Sequence, residues 1–136
     1  MSSRNTTPGF ESGPSKGHII VVDDELVIRE LLESFLSMAG YRVTAVPSAF
    51  EAEAMAARVK PDLVITDLQL EESDGLEMVS RLKALLPDTP MILLTGVLFD
   101  PKVVREVLHR KVSSYIEKTA PLSRILEEVQ RLIGKK

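Results

Sequence analysis

The sequence has no cysteine, so disulfides and thiolate metal sites are excluded, and the composition suits a reducing, cytoplasmic setting. Aromatic residues make up only 4% of a chain that is 44% hydrophobic, which points to an aliphatic core. No apolar run reaches the roughly 18 residues needed to span a bilayer. Charge of one sign is also missing: 17 basic and 20 acidic residues leave a formal net charge of −3. That balance provides no broad cationic field for nucleic acid or anionic lipid, so neither direct nucleic-acid binding nor membrane association is expected. Residues 1–17, MSSRNTTPGFESGPSKG, lack the apolar stretch of a secretory signal and read as a flexible tail or linker. The rest of the 136-residue chain, residues 18–136, is the length of one ordinary domain.

What is present is an alternation. Short β-branched runs at Ile19–Asp23, Tyr41–Val46, Leu63–Thr66, Met91–Thr95 and Ser113–Glu117 alternate with amphipathic stretches. This is the pattern of βα units around a parallel sheet, and the nearly all-apolar strands imply cover on both faces. The spacing predicts helices at about Glu25–Ala39, Ser48–Val59, Gly75–Leu86, Pro101–Arg110 and Leu122–Ile133. Gly40 supplies a left-handed stop for the first, Pro61 and Pro87 punctuate the second and third, and Asp100-Pro101 opens the fourth.

Ligands of an open parallel sheet bind beyond the carboxyl ends of its strands, where strand order reverses. With strand order 2-1-3-4-5, the exits of the first and third strands share that crevice. The first exits into Asp23-Asp24-Glu25 and the third into Asp67. Converging Asp23, Asp24 and Asp67 would repel one another without a cation between them. Oxygen donors without His or Cys favour a hard ion, Mg²⁺ or Mn²⁺, which also takes phosphoryl oxygens. The fourth strand ends at Thr95, whose hydroxyl suits a phosphoryl oxygen, followed by Gly96, and the fifth leads to Lys118, whose ammonium offsets the acids.

In order and spacing, IIVVDDE, LVITDLQLEESDG, MILLTG and SSYIEK resemble the response regulator receiver family of two-component signalling, over residues 18–134. The resemblance implies a flavodoxin-like (βα)5 three-layer sandwich in that strand order. It implies that Asp67 is the phosphoacceptor, that Asp23, Asp24 and the backbone carbonyl of Gln69 join Asp67 at the metal, and that Thr95 and Tyr115 are the switch pair beside Lys118. The donor implied is a phosphohistidine on a sensor histidine kinase or histidine phosphotransfer protein. The chain would be a signalling domain catalysing only its own phosphoryl transfer and autodephosphorylation. Output would pass through the face of the fourth helix, fifth strand and fifth helix, with Arg105, His109, Arg110 and Lys111, to an effector or a second copy.

Val97, two positions beyond Thr95, offers no polar group to orient hydrolytic water, which implies a long-lived phosphoryl state. Three positions depart from the family pattern: Thr119 stands where proline follows the lysine, Glu71 stands where proline follows the third strand, and Arg110-Lys111-Val112 replaces a small Gly-containing turn. An FMN carrier is disfavoured because three acids occupy the place of a phosphate-binding loop after the first strand. An aspartate-based phosphatase is disfavoured because Gln69 stands where its second acid would be. The remaining alternative is a pseudo-receiver, a binding module of the same fold that signals without phosphorylation.

Overall fold

The computed structural model describes residues 16–67, 69–70, 73–96 and 112–133. The expected fourth helix, Val97, Glu71 and the cluster Arg105, His109, Arg110 and Lys111 lie outside the described residues, and of Gln69, Asp74 and Thr95 the backbone alone is described.

Five parallel strands form the sheet: β1 (His18–Val22), β2 (Arg42–Val46), β3 (Leu63–Asp67), β4 (Met91–Thr95) and β5 (Ser114–Glu117). Their order is β2-β1-β3-β4-β5, the flavodoxin-like 2-1-3-4-5 arrangement. Four helices lie among the described residues: α1 (Leu26–Met38), α2 (Ala49–Val59), α3 (Gly75–Leu85) and a C-terminal α4 (Leu122–Ile133), the last in the place of the predicted fifth helix. None is long and apolar enough to cross a membrane.

Side chains of a strand alternate between faces, and each face of this sheet carries its own core. Ile20, Val22 and Val64 point into a cluster with Ala49, Ala52 and Ala56 of α2 and Met78, Val79 and Leu82 of α3. Ile19, Val21, Leu63 and Ile65 point the other way, onto Leu32 and Leu36 of α1 and Ile125 and Val129 of α4. The alanines let α2 approach the sheet closely. Burial on both faces fixes the register, since a one-residue slip would exchange the two cores.

The helix ends follow local chemistry. The Ser48 hydroxyl accepts the Glu51 N–H at 3.2 Å to cap α2, and Lys60 adopts a left-handed φ of 52° before Pro61. Gly40 takes φ +105° after α1, a conformation L side chains rarely adopt. After β3, Gln69–Leu70 and Ser73–Asp74 pair antiparallel as a small hairpin. It carries the chain from the exit of β3 into α3.

Candidate metal centre

The parallel register brings β1, β3 and β5 out at the same edge of the sheet. Val22 pairs with Thr66, Asp67 with Leu94, and Thr95 with Glu117, so Asp23, Asp67 and Lys118 emerge at nearly one level. Asp67 is the last residue of β3 and is 1% exposed, and Asp23 is fully buried. Asp67 thus sits on the ladder itself rather than in a loop beyond it.

Lys118 ties the exits together. Its Nζ lies 2.6 Å from Glu25 Oε1, 3.0 Å from Asp67 Oδ2 and 3.2 Å from Asp23 Oδ2. Burial opposes the Lys118 charge, but the hydrogen bonds to Glu25 and Asp67 and the fields of Asp23 and Asp67 overcome it and hold the ammonium above its usual range. Burial also dominates at Asp23 and pushes its carboxyl up, despite a hydrogen bond from the Glu25 N–H and the nearby Lys118 charge. The lysine stem walls an apolar pocket of about 90 Å³ between α1 and α4, lined also by Ile28, Leu31 and Leu122. The pairs to buried Asp23 and Asp67 therefore lie beside an apolar wall, where each is stronger than in water.

One member of the acidic cluster differs from the sequence expectation. The carboxylates that come together are Asp23, Glu25 and Asp67, with one oxygen from each within 4.8 Å of the others, while Asp24 is half-buried beside them. The cause is a turn that Asp23 builds for itself: its Oδ1 accepts the Glu25 N–H at 2.8 Å, so the chain folds back and returns the side chain two residues on to Lys118. The same turn makes Glu25 the N-terminal boundary of α1 without a side-chain cap. Arg29, one turn into α1, donates to the Asp23 carbonyl at 2.8 Å and clamps the loop from the other side. Neither Glu25 nor Arg29 was singled out by sequence, although DDE followed by a basic residue on α1 carried the signal.

The donor set fits a hard divalent cation. Among the described residues, buried Asp23 Oδ2 meets only the ion pair to Lys118, and an anionic oxygen so placed favours a further positive charge. The other expected residues take the following positions. Thr95 ends β4 with its backbone opposite Glu117, and the backbone of Gln69 pairs with Asp74 in the hairpin. Tyr115 packs partly buried against the α2/α3 core, with its hydroxyl shielded from solvent. The Lys118–Thr119 peptide is trans.

The response regulator receiver domain model matches residues 19–130. Response regulator protein VraR of Staphylococcus aureus is 35% identical over 115 residues, 83% of this chain and 54% of its own, so the chain spans about half the length of that relative. Among solved structures, NtrX from Brucella abortus aligns with a TM-score of 0.80 at 28% identity, covering 87% of this chain and 27% of that one. The BeF3-activated N-terminal receiver domain of Klebsiella pneumoniae RstA aligns with a TM-score of 0.78 at 28% identity, covering 87% and 99%. The chain belongs to the response regulator receiver domain family of two-component signalling.

Proposed function

We propose that the domain takes a phosphoryl group from a phosphohistidine of a sensor histidine kinase or histidine phosphotransfer protein onto the Asp67 carboxylate. The phosphorus–nitrogen bond breaks, the imidazole nitrogen keeps its electron pair, and an Asp67 oxygen forms the new bond to give an acyl phosphate. The observation that carries this reading is a carboxylate, nearly fully buried at the end of a central strand, with one oxygen held by Lys118, which also pairs with the buried acid Asp23 beside it.

Mg²⁺ or Mn²⁺, held by Asp23, Asp24, Asp67 and the backbone carbonyl of Gln69, would neutralise phosphoryl oxygen charge when bound. The protein's own groups do the rest. Asp67 is the nucleophile, and β3 fixes its direction of approach because both neighbouring strands hold it in register. Lys118 pairs with a phosphoryl oxygen as charge builds there. The Thr95 hydroxyl donates to another phosphoryl oxygen, and Tyr115 follows it, changing the face formed by residues 101–110, β5 and α4 that an effector or second copy reads. Water attack on the same bond ends the signal, and Gln69 and Val97 set how readily that water is aligned.

The test is incubation with a small phosphodonor and Mg²⁺, followed by borohydride trapping of acyl phosphate and peptide mapping. Trapped product at Asp67 that depends on the divalent ion is expected. No trapped product would favour the pseudo-receiver instead.

A further inference from the structure

Lys118 has three N–H donors, and all three directions are taken: hydrogen bonds to Glu25 and Asp67 and an ion pair to Asp23. When Asp67 takes the phosphoryl group it loses its own charge, so Glu25 and Asp23 are the acids that compete with the phosphoryl oxygens for this ammonium. The three acids differ sharply in how firmly they are held. Asp23 is fully buried and Asp67 is 1% exposed, whereas the Glu25 side chain is 61% exposed. Glu25 also makes the shortest contact, at 2.6 Å, from a longer side chain that can swing into water by rotating its own bonds. Its backbone is fixed by the Asp23 Oδ1 bond to its N–H, so the carboxylate leaves and returns without disturbing Asp23.

We propose that Glu25 is the exchangeable partner of Lys118, a positioning residue that holds the ammonium over Asp67 in the resting domain and yields it to the incoming phosphoryl group. This deepens the phosphoacceptor reading and rests on it. Glu25 then serves the lysine rather than the divalent ion, although its oxygen lies within the acidic cluster. Releasing it opposes phosphoryl capture by the strength of an exposed ion pair. Removing the Glu25 charge therefore tightens capture by about two- to fivefold at low salt. The advantage fades as salt screens the exposed pair.

The experiment compares the wild-type domain with Glu25→Gln by calorimetry, using Mg²⁺ alone and then beryllofluoride with Mg²⁺ at low and high ionic strength. The Lys118 ammonium resonance is followed by nitrogen-15 lysine NMR without metal. Expected are a moved Lys118 resonance, unchanged Mg²⁺ affinity, and tighter beryllofluoride binding at low salt that converges with wild type at high salt. Equal or weaker beryllofluoride binding by Glu25→Gln would overturn the exchange, as would a loss of Mg²⁺ affinity, which would make Glu25 a metal ligand. If neither protein binds beryllofluoride while the Lys118 resonance still moves, the phosphoacceptor reading fails and the exchange with it.

Discussion

Lys118 Nζ stands 3.0 Å from Asp67 Oδ2, joining residues 51 positions apart through the exits of β5 and β3. The contact joins two neighbours of β4 rather than two adjacent strands, so it depends on the whole parallel register. It also sets the electrostatic balance of the site, with one cation against three carboxylates.

Burial makes Asp23 a source of strain in the metal-free domain. Its carboxyl is held above the usual range by burial, so neutralising it should stabilise the fold. Asp23→Asn keeps an oxygen for the Glu25 N–H and is expected to raise unfolding stability by about 1 kcal/mol at neutral pH without divalent ion. For a raised folded-state pKa, the protonated form is favoured in the fold, so the unfavourable contribution of Asp23 fades as pH falls through the raised value. The advantage of Asn should therefore shrink toward acid pH. Added Mg²⁺ should stabilise wild type and leave Asp23→Asn nearly unmoved. Urea titrations at several pH values, with and without Mg²⁺, measure all of this.

Arg29 acts on the same loop from the helix side. Arg29→Ala removes a bond to the Asp23 carbonyl worth about 1 kcal/mol, so Mg²⁺ affinity measured by calorimetry should fall roughly fivefold. The far-ultraviolet spectrum should not change. An unaltered Mg²⁺ affinity would mean that the Asp23 turn holds itself.

A second electrostatic anchor fixes α4 to the sheet edge. Glu128 accepts from Ser114 Oγ at 2.7 Å and from Arg131 and Arg124 on its own helix, and hydrogen bonds from Arg131 and then Ser114 pull its carboxyl down to about 2. A depressed folded-state pKa contributes stability that is present above the usual carboxylate value and lost as pH falls through the folded value. Glu128 should therefore contribute fully at neutral pH and fade between about 4.5 and about 2. Glu128→Ala is expected to cost about 1 to 2 kcal/mol at neutral pH in chemical denaturation, and less at the acid end of that window.

On the opposite face, close packing rather than charge sets the limit. Ala52 is fully buried and Ala56 is 1% exposed, both against the sheet. Ala56→Leu should push α2 off its seat and cost about 1 to 3 kcal/mol, read as a lower urea midpoint with an unchanged slope.

Much of this architecture was legible in the residues. Continuous β-branched runs such as IIVV and LVIT, alternating with amphipathic stretches, read as strands buried on both faces, and Gly40, Ser48 and Pro61 marked helix ends where the structure has them. Predicted boundaries moved by a residue: β1 runs from His18 to Val22 rather than from Ile19 to Asp23, because Asp23 turns its carboxylate back onto the Glu25 N–H. That same turn hid the role of Glu25. Sequence gives the identities of three successive acids, but which of them share a side of the loop depends on backbone angles that a two-residue turn sets locally. The hairpin after β3 was hidden for a similar reason, since its two-residue arms are too short for any hydrophobic period.

Intact-mass spectrometry of the domain after exposure to a small phosphodonor and Mg²⁺ tests phosphoryl transfer to Asp67 directly. The wild-type chain should gain the mass of one acid-labile phosphoryl group, and Asp67→Ala, shown by circular dichroism to remain folded, should gain none. A wild-type mass that does not change, or an equal gain in folded Asp67→Ala, would rule out Asp67 as the phosphoacceptor.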